Sequence, residues 1–166
     1  MFLSFSWRDL SSVVFAGIIT GLAYYSEFYG LFAWVSFIPL LHILSKFKPD
    51  SKPFFIGYIF GLSYNLVAFY WIALNSGTSF LVAICSLIAA ISYLSIFWGL
   101  LTTFIYQIKN YAFRLMIFPF AVVLMEWLRG LGPLGFPWSN LALTQINFLP
   151  LVQIMEITGS YGVSAL

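Results

Sequence analysis

Residues 80–108 read FLVAICSLIAAISYLSIFWGLLTTFIYQI, and this stretch decides the fold. It is an apolar run of 29 residues. At about 1.5 Å rise per residue, a helix of that length extends ~43 Å and must tilt or project beyond the hydrocarbon of a bilayer. The rest of the chain has the same character: of its 166 residues 62% are hydrophobic, 21% aromatic and only 7% charged. About a quarter of a soluble domain is charged, so the composition describes an integral membrane protein. The net charge of +2, spread over scattered Lys and Arg, gives no basic patch and no reading as a nucleic-acid binder. Cys85 is the single cysteine, which excludes an internal disulfide, a Cys-rich metal site and a Cys-x-x-Cys motif. Set among Ile, Leu and Ala in the long run, it reads as a small core residue with little thiolate, not as a nucleophile.

Upstream, apolar runs recur. Trp7, Arg8 and Asp9 precede residues 13–23 as the charged start of a secretory signal peptide would. No small-x-small cleavage site follows, however, and Tyr24, Tyr25 and Glu27 intervene, so residues 10–25 read as the first membrane helix. Gly17 and Gly21 are either a Gly-x-x-x-Gly pair that admits a close neighbour or chance spacing. A turn at residues 24–30 leads into a second span, 31–45, with His42 near its end as an interfacial side chain and not a metal ligand. Both helices fall short of the roughly 20 residues that cross a bilayer comfortably, and lean on the rest of the bundle. Lys46, Lys48, Pro49, Asp50, Lys52 and Pro53 form a polar loop, and Pro53 suits the first turn of the next helix. The third span, 54–74, carries Gly57, Gly61 and Trp71, together with Asn65, whose amide must face protein or a cavity. Residues 75–79 make an uncharged turn before the long fourth span.

Downstream, Lys109, Asn110 and Arg114 mark a surface loop, and a fifth span over 115–128 has Pro119 in its first turns. A sixth apolar segment, 149–166, is still running at Leu166. The expectation is thus an all-α polytopic bundle of about six spans with the last incomplete, forming one N-terminal transmembrane domain over residues 1–166. Arg8, Lys46, Lys48, Lys52, Lys109 and Arg114 fall on one side and Arg129 on the other, which puts the N-terminus in the cytoplasm.

Between the last two spans, residues 125–145 read MEWLRGLGPLGFPWSNLALTQ. Glu126 and Arg129 are three apart and share a helix face, where they can neutralise each other near a membrane surface. Gly130, Gly132, Pro133, Gly135 and Pro137 end that helix and forbid another until after Pro137. The result is a stiff loop that holds Phe136 and Trp138 at the headgroup level. Glu-Trp-Leu-Arg-Gly, a spacer, Gly-Phe-Pro-Trp, Gln145 seven residues later, the tail over 151–166, and Gly57, Gly61 and Trp71 upstream together resemble the apolipoprotein N-acyltransferases. The likeness is loose before residue 57 and close after 119.

That family adds the third acyl chain to bacterial lipoproteins. The resemblance implies a multi-pass protein of the bacterial inner membrane, a phospholipid acyl donor and a diacylated lipoprotein acceptor, with no cofactor and no metal. It also implies that Phe136, Pro137 and Trp138 line the approach of acyl chains, while Glu126, Arg129 and Gln145 fix the loop. Alternatively, Glu126 and Arg129 only pair with each other and the loop only caps the bundle. The family's catalysis uses a Glu, a Lys and a Cys in a nitrilase-like domain after a seventh span, and no position here matches them. The acids Asp9, Glu27, Asp50, Glu126 and Glu156 are dispersed, and no nucleophile, base and oxyanion stabiliser come together. The chain therefore reads as the N-terminal fragment of such an enzyme, inactive alone. Glu156 stays open between a functional acid in a span and a group reaching the headgroups. A small polytopic transporter needs more polar groups at the midplane than Asn65 and a few Ser and Thr supply. A non-catalytic membrane subunit fits the composition equally well, but neither alternative explains the Gly-Phe-Pro-Trp loop.

Overall fold

The computed structural model describes residues 6–25, 29–46 and 52–166. Glu27, Lys48, Pro49 and Asp50, on which parts of the turn and loop readings rest, lie outside the described residues. Among the described residues six α-helices follow one another: α1 Trp7–Leu22, α2 Phe32–Ser45, α3 Pro53–Phe69, α4 Phe80–Gln107, α5 Tyr111–Arg129 and α6 Leu149–Ala165. There is no strand among the described residues. Helix α3 tightens into a 3-10 turn over Tyr70–Leu74, and two more 3-10 turns, Pro137–Ser139 and Leu141–Gln145, lie between α5 and α6. Among the described residues three segments are long and apolar enough to cross a membrane: Pro53–Leu74, α4 and α5.

The helix starts are set by short polar side chains and one proline. Ser6 and Asp9 form a reciprocal capping box at α1, Pro53 opens α3, and Ser79 and Asn110 cap α4 and α5 through Val82 N–H and Phe113 N–H. The Asn110 cap starts α5 four residues before the sequence suggests. Pro119 therefore sits in the interior of α5 and not in its first turns.

Glycine decides which helices touch. A Cβ on Gly17 would strike Ser63 Oγ and come within 2.6 Å of Phe60 O, and one on Gly21 would lie 2.8 Å from Tyr64 O. The Gly17–Gly21 pair is therefore the face on which α1 meets α3. Gly57 and Gly61 do the same for α4, against Trp98, Thr102 and Ser95. Asn65 is fully buried and faces protein, donating from Nδ2 to Ser95 Oγ at 3.4 Å while its Oδ1 has no hydrogen-bond partner. The core closes around Trp98, with Phe60 edge-on at 4.8 Å, Tyr64 edge-on at 5.6 Å and Phe37 stacked at 5.7 Å.

Three sequence expectations change here. Cys85 is exposed on the outer face of α4, beside Leu81 and Ile88, and is not a core residue. Arg114 is not in a surface loop: it is buried within α5, where Nη1 donates to Leu44 O at 3.0 Å and Nη2 to Ile108 O at 2.8 Å and Tyr106 O at 3.3 Å. It thereby satisfies carbonyls at the C-terminal ends of α2 and α4. The sixth apolar segment is not one straight helix either. At Gly159 the backbone turns to φ 68°, ψ 179°, and Ser164 comes back to accept from Ala142 N–H at 3.0 Å. Glu156 and Ile157, just before the break, are exposed, and His42 is exposed on the last turn of α2.

Candidate functional site beneath the Gly-Pro-Trp loop

At the end of α5, Gly130 N–H bonds the carbonyls of Glu126 and Trp127, and the chain then turns through Gly132 at φ 75°. A side chain at Gly135 would meet Gly130 O at 2.5 Å, so only glycine lets the loop fold back this tightly. Phe136 N–H returns to Arg129 O at 2.8 Å, which closes the loop onto the helix it left.

Glu126 and Arg129 lie under the segment that follows, each only 1% exposed. They do not hydrogen-bond each other. Glu126 Oε1 accepts from Leu141 N–H at 2.6 Å, while Arg129 Nη2 donates to Asn140 Oδ1 at 3.3 Å. Glu126 Oε2 and Arg129 Nε and Nη1 have no hydrogen-bond partner. The two opposite charges are thus buried one helical turn apart and not at a surface, and each also holds one of residues 140–141. The carboxylate takes the first N–H of the Leu141–Gln145 turn, as a capping side chain does.

Gln145 is buried, and its Nε2 donates to Gly30 O at 2.7 Å and Thr144 Oγ1 at 2.9 Å. A Cβ on Gly30 would strike Thr144 O, so the turn before α2 and the 3-10 turn after the loop interlock. From below, Tyr24 and Tyr64 approach Ser139 O, each at 3.1 Å. Neither tyrosine stands out in the sequence as part of the site. Their partners lie 115 and 75 positions away, and no local pattern encodes such a contact.

The aromatic residues face the other way. Trp138 is 60% exposed, with its ring 6.1 Å from Trp71 and 5.4 Å from Phe136. Phe136 stands edge-on to Phe69 at 5.1 Å. Tyr24, Tyr25, Ala68, Phe69, Trp71 and Trp138 line a cleft of about 350 Å³. A second cavity of about 200 Å³, with Phe37, Leu41, Phe118, Val122, Gln145 and Val163 in its wall, lies between α2, α5 and the end of α6. Phe136, Pro137 and Trp138 are contiguous and share one surface, whereas Glu126, Arg129 and Gln145 lie beneath it. Cys85, His42 and Glu156 do not join this cluster in any hydrogen bond or lining position described. Among the described residues no three His, Cys, Asp or Glu gather as a metal site.

A family model described as the apolipoprotein N-acyltransferase N-terminal domain matches residues 16–166. The chain is 32% identical over 164 residues to an apolipoprotein N-acyltransferase of Geobacter metallireducens, an alignment covering 96% of this chain and 31% of that protein. It is 27% identical to one from Borreliella burgdorferi, covering 95% of this chain and 30% of the relative. For one from Thermotoga maritima the identity is 25%, covering 94% and 33%. The chain spans about a third of the length of these curated relatives.

Proposed function

We propose, since this chain belongs to the apolipoprotein N-acyltransferase family and matches its N-terminal domain, that it is the membrane part of an enzyme that acylates lipoproteins. The acyl donor is a membrane phospholipid and the acceptor is the N-terminal diacylglyceryl-cysteine of a lipoprotein, in the bacterial inner membrane. The N-terminus is cytoplasmic, and the Gly-Pro-Trp loop faces outward. The Glu, Lys and Cys that perform the transfer lie outside these 166 residues, so this chain transfers nothing alone. Its part is to present the lipid substrates: Phe136, Pro137 and Trp138 guide acyl chains, and Glu126, Arg129 and Gln145 hold that surface still.

The observation that carries this reading is the combination at the loop of an exposed aromatic face and a buried polar seat. A Trp that is 60% exposed yet stands on a backbone fixed by Pro137, the Phe136 N–H to Arg129 O bond and the Glu126 to Leu141 bond has a defined position. A ring so placed packs a hydrocarbon chain against its face and offers its indole N–H to a polar group. Three large segments suited to a membrane and a ring of exposed apolar side chains such as Phe80, Leu81 and Phe120 support placement in the bilayer.

The test is conversion of diacyl to triacyl lipoprotein by the full-length protein. Trp138→Ala should lower specific activity by about tenfold, the equivalent of ~1.4 kcal/mol in the barrier. Activity per folded molecule equal to that of the parent would reject a guiding role for the ring.

A further inference from the structure

Two tyrosines missed by sequence reasoning occupy the middle of the site. The Tyr64 ring is fully buried, and is fixed by Trp98 edge-on at 5.6 Å and Phe60 stacked at 6.2 Å. Its hydroxyl lies 2.6 Å from that of Tyr24, which comes from the turn after α1. Both hydroxyls are 3.1 Å from Ser139 O, and Tyr24 also reaches Asn140 O at 3.3 Å. Next along the chain, the Tyr25 hydroxyl donates to Val67 O at 2.7 Å and Ala68 O at 2.9 Å, near the end of α3. These carbonyls lie where the helix is about to tighten into its 3-10 turn and where its own N–H groups run out.

The dipeptide Tyr24–Tyr25 therefore grips both walls of the aromatic cleft. Tyr25 holds the end of α3 that leads to Trp71, and Tyr24 with Tyr64 holds the carbonyl one residue after Trp138. We propose that Tyr24 and Tyr64 are positioning residues whose hydroxyl pair sets where Trp138 stands relative to Trp71. The pair has two protons. One is spent between the two hydroxyls, and the other goes to Ser139 O. If either hydroxyl is removed, the survivor still lies within 3.1 Å of Ser139 O and donates to it directly. Each hydroxyl thus suffices alone, and only the loss of both leaves Ser139 O without its support from beneath, while the Glu126 and Arg129 bonds to residues 140–141 remain. Simple packing has no such redundancy, because the Tyr→Phe change keeps the ring.

The geometry is read with Trp71→Cys and Trp138→Cys in a Cys85→Ser background, joined in the membrane by a short bifunctional thiol reagent. Tyr24→Phe or Tyr64→Phe alone should leave the crosslinking rate within about twofold, while the double variant should slow it by about fivefold. Tyr111→Phe, at an exposed tyrosine of α5, serves as the control. Protein amount and helix content must stay constant. An unchanged rate in the double variant, or an equally large fall in either single variant, overturns the proposal. The crosslink needs no acyl transfer, whereas an activity arm in the full-length protein rests on the function proposed above. Loss of crosslinking with full activity in Tyr24→Phe/Tyr64→Phe would uphold the positioning role and count against substrate guidance by the loop.

Discussion

Replacing Glu126 by Leu should be among the most damaging single changes outside the glycines, and its cost can be worked from its contacts. The substitution removes the acceptor of the 2.6 Å bond from Leu141 N–H and so leaves a buried donor unpaired, at about 1–3 kcal/mol. It also deletes the only acid on α5 and leaves the Arg129 guanidinium, 1% exposed, without a carboxylate one turn away. A guanidinium does not shed its proton, so it cannot escape the penalty by neutralising. Breaking a buried charge pair by removing one partner costs about 3–5 kcal/mol, a large share of the ~5–15 kcal/mol that holds a domain folded. Removing both charges in Glu126→Leu/Arg129→Leu should return roughly 2 kcal/mol of that loss, because the uncompensated cation is gone and what remains is the orphaned Leu141 N–H and the part-buried Asn140 Oδ1 that Arg129 served. The assay is reversible unfolding of the purified chain in mixed micelles with increasing denaturing detergent, followed by helix content. A loss under about 1 kcal/mol for Glu126→Leu, or a double variant whose loss equals the sum of the singles, would refute the claim that the two charges depend on each other.

Two further outcomes follow from the opposite end of the bundle. Arg114→Lys keeps the charge but cannot fork between Leu44 O, Tyr106 O and Ile108 O, so it should cost about 1–2 kcal/mol in the same unfolding assay, and Arg114→Met about 3 kcal/mol; no loss for Lys would mean that a point charge suffices. For orientation, single cysteines at Ser76 and Ser51 in a Cys85→Ser background should label from outside intact cells at Ser76 only, and the reverse pattern would invert the proposed topology.

Hydropathy made the helical membrane class legible, because runs such as residues 80–108 have no soluble counterpart. Local rules made Pro53 legible as a helix start, whereas Gly17 and Gly21 stayed open between a packing face and chance spacing until the approach of α3 decided it. What hydropathy could not distinguish is which apolar face looks at lipid, since lipid tails and a helical core demand the same side chains. Cys85 was assigned to the core for that reason and stands on the outer face. Arg114 failed differently. Near Lys109 and Asn110 it has the composition of a loop, and the carbonyl that accepts from its Nη1 belongs to Leu44, 70 positions earlier. At the candidate site the loop residues were visible through their Gly and Pro content. Glu126, Arg129 and Gln145 were named as fixing it through the resemblance, but their partners were not, because Tyr24, Tyr64 and Gly30 meet the loop only after α1, α2 and α3 have packed.

The helix contacts also bear on orientation in a way that counting charges does not. Gly17 and Gly21 meet α3 near Phe60 and Tyr64 in the same order along both chains, so α1 runs parallel to α3. Gly57 meets α4 at Trp98 and Thr102 while Gly61 meets it at Ser95, so α3 and α4 are antiparallel. Arg114 joins the end of α2 to the end of α4 at the start of α5. Arg8, Lys46, Lys52, Lys109 and Arg114 therefore gather at one end of the bundle, and Arg129 lies at the other with the loop. Arg114 and Arg129 are both buried and bonded to protein, so neither is free to meet anionic headgroups. The asymmetry that supports an inward N-terminus then rests on Arg8 and the lysines, against no exposed cation among the described residues at the loop end. That end is left to neutral aromatic side chains over a buried polar seat, so a headgroup of either charge would meet no free cation there under the lipid-presenting role proposed above.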